Sequence, residues 1–119
     1  MAQTFGELIR QARKDKGYSQ RELAKLIHLD VTYLSKLEND RAGYAPKEDV
    51  IRSLARNLDL DEEELIFLAG RIPQCYEELL KQNYKTMPGL FRLLGNHDRE
   101  YREEVQRAET EAESEDEQN

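Results

Sequence analysis

The sequence predicts an all-α fold: a bundle of five short helices, then a short C-terminal helical extension and an acidic disordered tail. Three observations carry this. Apolar residues recur at helical spacing through the first 70 positions. Four of the five apolar series follow a residue of the helix-capping type. Beyond Asn96 apolar residues almost vanish.

The first series is Phe5, Leu8, Ile9 and Ala12, with Thr4 as N-cap, Glu7 as capping-box partner and Gly17 as left-handed C-cap. Ser19 and Glu22 repeat the box before a short helix that turns Leu23, Ala24 and Ile27 inward. Asp30 caps a third helix with Leu34 and Leu37 buried. Asn39 to Pro46 is a loop by composition. A fourth helix is expected from Lys47 to Asn57, burying Val50, Ile51, Leu54 and Ala55. Asp61 caps a fifth with Leu65, Ile66 and Leu68, ending near Gly70. None buries its apolar face alone, so all five must share one core.

Past Pro73, Tyr76, Leu79, Leu80, Asn83 and Tyr84 keep helical spacing, and Pro88 opens another short helix with Leu90, Phe91, Leu93 and Leu94. Residues 109–118 are an acidic low-complexity run with too little apolar surface to order itself. The expected divisions are residues 1–72, 73–95 and 96–119.

Composition narrows the function classes. A chain of 119 residues has room for one domain and an appendage. Its 38% apolar residues permit only a small core, and its 36% charged residues favour a helical protein of the cytoplasm. No apolar run approaches a membrane span, and Met1 to Phe5 lack the basic start of a signal peptide. Cys75 is the only cysteine, expected half-buried and unreactive, so no intrachain disulfide forms. Two histidines at no ligand spacing complete a set that predicts neither metal nor cofactor. There is no nucleophile–histidine set and no glycine-rich phosphate loop, so no enzyme is expected.

The net charge of −7 is unevenly spread. Residues 1–58 hold 11 Lys+Arg against 8 Asp+Glu, a net of +3; residues 59–119 hold 7 against 17, a net of −10. The front half can therefore present a basic face despite the acidic whole.

The informative stretch runs from Ser19 to Glu38. Two short helices meet at a tight turn, and their buried residues are spaced so that the second crosses the first. Val31, Thr32, Tyr33, Ser35 and Lys36 then face outward, a mixture of apolar groups, hydroxyls and a cation suited to base edges in a major groove.

Ser19-Gln20, Leu23-Ala24, Ile27, Leu29, Leu34-Ser35, Leu37-Glu38, Pro46, Leu54-Ala55, Leu58 and Leu65 together resemble the Cro/phage-repressor (XRE-type) helix-turn-helix family over about residues 5–70. The resemblance implies a lambda-repressor-like five-helix bundle. It further implies a transcriptional regulator, a repressor by family habit, that acts as a homodimer on a palindromic double-stranded DNA operator. By the same resemblance, Gln20 contacts phosphate and neighbouring recognition side chains at the start of helix 2; Arg21 beside it is added to the expected DNA-binding set. Val31, Thr32, Tyr33 and Lys36 face bases, with the outward Ser35 beside them, Asn39 and Arg41 approach the backbone, and Arg13 pairs internally with Glu38. The chain departs from the family in three places. The loop before Pro46 is slightly long, Asp30 replaces the usual hydroxyl cap, and His28 stands where glycine is usual in a turn that needs positive φ.

Leu79, Leu80, Tyr84, Met87, Leu90, Phe91 and Leu94 are numerous for a segment beyond a complete bundle. They either pack back on the domain or form a dimer or partner surface. An antitoxin-type interaction protein, whose C-terminal segment binds a protein while the N-terminal domain autoregulates, is the alternative function. A regulatory protein or protease would suit so short a regulator. The acidic tail is either a solubilising extension or a competitor for the basic face.

Overall fold

Side-chain caps fix four helix starts. Thr4 Oγ1 accepts from the Glu7 amide at 3.1 Å and Ser19 Oγ from the Glu22 amide at 3.0 Å, each glutamate accepting from its cap's amide in return. Asp30 Oδ1 accepts from the Thr32 and Tyr33 amides, and Asp61 Oδ1 from the Glu64 amide. These caps satisfy amides that a helix start leaves without partners.

The structure is a computed structural model that describes the chain from residue 3 to 96 and from 99 to 118. It divides into two compact units, Met1–Glu77 and Glu78–Asn119. The first contains α1 (Phe5–Asp15), α2 (Gln20–Leu26), α3 (Val31–Glu38), α4 (Glu48–Leu58) and α5 (Glu62–Leu68). Left-handed residues stop the chain between them: Gly17 at φ 76°, His28 at φ 55°, Asp59 at φ 54° and Gly70 at φ 82°. His28 therefore does adopt the glycine-favouring conformation expected of its turn.

Ile9, Ala12, Leu23, Ala24, Leu34, Leu37, Ile51, Leu54, Ala55, Leu58, Leu65 and Ile66 form one core drawn from all five helices. Phe5, Leu8, Ile27 and Val50, expected inward, lie half-buried at its margin. Leu68 is a correction: it is 39% exposed, as is its neighbour Phe67 still more fully. Helix α5 is only two turns long, and the positions that face the core are Leu65 and Ile66.

The first unit continues past the bundle. The Gln74 amide donates to Glu48 Oε1 at 2.7 Å, and Tyr76 Oη donates to Glu63 Oε2 at 2.7 Å. The first bond, with help from Arg52, holds the Glu48 carboxyl below its ordinary pKa; the second raises that of the Tyr76 phenol. Cys75, expected half-buried, is exposed in the 3₁₀ turn Gln74–Tyr76.

In the second unit α6 (Glu77–Gln82) is shorter than the spacing to Tyr84 predicts. Asn83 ends it, its Nδ2 donating to the Leu79 carbonyl at 2.8 Å, and Tyr84 falls in the turn that follows. Helix α7 (Met87–Gly95) begins with Pro88 in its first turn, as expected. The acidic end of the chain is written as one helix, α8 (Arg99–Gln118). Its glutamates, alanines and arginines are strong helix formers, so local propensity shapes a stretch that has little to bury. Tyr101 and Val105 are half-buried, one turn apart, and residues 106–112 are exposed. Gly95 lies against the Tyr101 ring, which leaves no room for a Cβ. No helix among the described residues is long and apolar enough to cross a membrane.

Candidate nucleic-acid interface

A buried carboxylate organises the surface of interest. Glu38, at the end of α3, is 2% exposed, and Arg13 of α1 is 9% exposed. Arg13 Nε donates to Glu38 Oε2 at 2.8 Å and Nη2 to Oε1 at 3.0 Å, while Nη1 donates to the Tyr18 carbonyl at 2.8 Å. Gln20 Nε2, in the first turn of α2, donates to Glu38 Oε1 at 3.1 Å. Arg10 Nε stands 3.6 Å from the same oxygen. The bidentate fork satisfies both buried charges, and one carboxylate locks three helices together. The ion pair implied for Arg13 and Glu38 is thus present.

That lock sets the position of the start of α2 beside α3. Gln20, Arg21, Val31, Thr32 and Ser35 line one open surface groove, together with Arg13 and Ser19. Five of the residues assigned to DNA therefore meet on one face. Lys36 and Thr32 are exposed, whereas Val31 and Tyr33 are half-buried and packed against the core. Tyr33 lies outside the groove lining and serves the bundle as well as its surface. Asn39 is engaged within the chain: Nδ2 donates to the Ser35 carbonyl at 2.8 Å, and Oδ1 accepts from Arg10 Nη2 at 2.5 Å. The exposed Arg41 uses its amide to close the end of α3 on the Lys36 carbonyl at 2.8 Å.

Two residues that position this face escaped the sequence reading. Asp40, at φ 55°, accepts from Thr4 Oγ1 at 2.7 Å and from the Gly6 amide at 3.0 Å, tying the end of α3 to the start of α1. Gly6 makes room for that approach, since a Cβ would lie 2.6 Å from the carbonyl oxygens of both Leu37 and Glu38. A glycine inside a helical pattern was the available signal, because it costs stability unless a backbone comes close.

In the second unit the apolar residues assigned to a dimer or partner surface, Leu79, Tyr84, Leu90, Phe91 and Leu94, are exposed, and Leu80 is half-buried. Among the described residues no group of side chains is arranged to hold a metal ion.

Two short helices at a tight turn, the second set outward with a polar face beside the start of the first, define a helix-turn-helix domain. A family profile described as helix-turn-helix matches residues 9–65 of this chain. It is 31% identical over 75 residues to the HTH-type transcriptional repressor RghR of Bacillus subtilis, covering 63% of this chain and 55% of RghR. It is 29% identical over 84 residues to the competence pilus inhibition repressor of Acinetobacter baylyi, covering 71% of this chain and 73% of that protein. The chain thus spans about half the length of the first relative. A solved structure titled SinR protein/SinI protein complex aligns with 92% of this chain and 99% of its own, at a TM-score of 0.48 and 23% identity.

Proposed function

We propose that this protein is a sequence-specific DNA-binding transcriptional regulator, a repressor that places α3 in the major groove of its operator. The observation that carries the reading is the single groove lined by Gln20, Arg21, Val31, Thr32 and Ser35, with Lys36 exposed on the same short helix. In this reading the hydroxyls and Lys36 read base edges, Val31 meets a thymine methyl, and Gln20 and Arg21 meet phosphate. Tyr33 adds contact at the edge of the face, and Asn39 and Arg41 extend it along the backbone. Relatives named as repressors support the sign of the regulation. The protein works in the cytoplasm without catalysis.

Pairing belongs to the second unit in this proposal. Exposed Leu79, Tyr84, Leu90, Phe91 and Leu94, with Leu80 between, supply the apolar surface of a homodimer on a palindromic operator. The same exposure favours one second reading, in which that surface takes a regulatory protein as an antitoxin-type module would. Light scattering on the full chain separates the two: a dimer supports the first, a monomer the second.

The DNA reading is tested by enriching bound duplexes from a random pool, then titrating the winner at several salt concentrations. Affinity is expected to fall steeply with salt, and a flat response sinks the assignment. Lys36→Ala should cost roughly 1–3 kcal/mol on the enriched duplex and less on random DNA. Equal losses on both make Lys36 a phosphate contact.

A further inference from the structure

The loop between α3 and α4 carries an exposed aromatic that the core does not use. Tyr44 is 88% exposed, more than any other large apolar side chain described. Exposed Arg41 and Lys47 flank it at equal spacing. A Tyr in water is a large apolar surface left uncovered, and with a cation on either side it suits a polyanion more than an apolar partner. Of the nearby carboxylates, Glu48 is paired with Arg52 and the Gln74 amide, Asp40 is turned to Thr4 and Gly6, and exposed Asp49 accepts from the Val50 amide. The loop also continues directly from the end of α3.

Such a loop is useful only if it is held, and it does not hold itself. Gly43 is at φ 81°, and among the described residues no backbone amide from Ala42 to Ala45 donates to a backbone carbonyl. Ala42 packs on the core and Pro46 is buried, and a further hold comes from the far end of the domain. Arg71, just past α5, donates from Nε to the Pro46 carbonyl at 2.5 Å and from Nη2 to the Ala45 carbonyl at 3.1 Å. A planar guanidinium makes both bonds in one rigid fork, a geometry that the rotatable ammonium of a lysine does not fix.

Resting on the DNA reading above, we propose that Arg71 is a positioning residue for DNA binding: it fixes the loop so that Tyr44, between Arg41 and Lys47, lies along the sugar–phosphate backbone beside the groove α3 occupies. The contact is with backbone, so it adds affinity on any sequence.

The test uses the full chain and two labelled duplexes of equal length, one enriched from a random pool and one random. Tyr44→Ala should weaken binding to both by roughly fivefold to tenfold, the scale of one polar or packing contact. Arg71→Met should do the same, with Arg71→Lys between it and the wild type. The decisive measurement is the double variant: if Arg71 acts through the loop, Arg71→Met adds no further loss on top of Tyr44→Ala. A full second loss marks Arg71 as acting elsewhere and overturns the inference, as does unchanged binding by either single variant. Should Arg71→Met fail to fold by circular dichroism, Arg71→Lys alone decides, and wild-type affinity from it overturns the proposal. A wild type that binds neither duplex sinks the DNA reading itself; a wild type that binds while the variants match it sinks only the role of Arg71.

Discussion

The two units of this chain handle their apolar residues in opposite ways. In the first, Ile9, Leu23, Leu34, Ile51, Leu54 and Ile66 keep no exposed surface, and five helices close round them. In the second, α7 leaves Leu90, Phe91, Leu93 and Leu94 exposed, and its one buried residue is Gly95. Both segments have helical periodicity. What differs is the number of neighbouring apolar faces within the unit, and that number decides whether an amphipathic helix is finished or still presents a surface. The first unit carries its stability inside. The second has the composition of an interface, which is where the proposed homodimer draws its contacts.

The largest expected effect probes the interior polar lock of the first unit. Arg13→Ala strands the Glu38 carboxylate, whose side chain is fully buried, and should cost about 3–5 kcal/mol of stability in urea denaturation. Replacing both partners by apolar residues of similar volume should recover most of that loss, because the only charge that then loses a partner is the part-exposed Arg10. A cost below 1 kcal/mol for Arg13→Ala, on the scale of an exposed pair, would place this lock among ordinary surface bridges.

Next comes a matched pair of leucines. Leu54→Ala removes a side chain with no exposed surface and should cost about 2–5 kcal/mol. Leu94, at 63% exposure, should give within about 0.5 kcal/mol at protein concentrations too low for association. At high concentration Leu94→Ala should shift the light-scattering mass towards monomer. If it destabilises the dilute protein as Leu54→Ala does, the contrast between the units fails.

The same contrast explains what could be read from sequence. Capping boxes at Thr4 and Ser19 and the positive φ at Gly17 and His28 were legible because they are decided within four residues. The inward faces of α1 to α4 were legible because each helix has a core to face. Leu68 was not, since a two-turn helix with apolar residues at four of seven positions does not declare which of them face in. In α8 the two arguments part: burial gives the stretch little to order it, while propensity alone makes a helix. Within the candidate site, the groove residues on α2 and α3 came from local spacing and family pattern. Asp40, Gly6 and Arg71 act across 25 to 36 residues of sequence, a separation at which side-chain partners leave no periodic trace.

The smallest effect lies where the first unit ends, at the bond between the Gln74 amide and Glu48. That bond, and then the Arg52 guanidinium, lower the Glu48 pKa from 4.5 in the folded state. The unfolded chain therefore takes up the proton first as acid is added. The contribution of Glu48 is complete above pH 4.5 and is lost as pH falls through the lower folded value. Tyr76 has the opposite sign: its donation to Glu63 raises its pKa from 10.0, so its contribution is complete below that pH and is lost as pH rises through the folded value. Stability measured against pH should thus bend downward at both ends, with Glu48→Gln removing part of the acid bend and Tyr76→Phe part of the alkaline one. Glu48 is partly exposed, so solvent screens the acid effect and it should be modest. An acid limb unchanged by Glu48→Gln would mean that the bond to Gln74 adds nothing, leaving Tyr76 and Glu63 as the tie past α5.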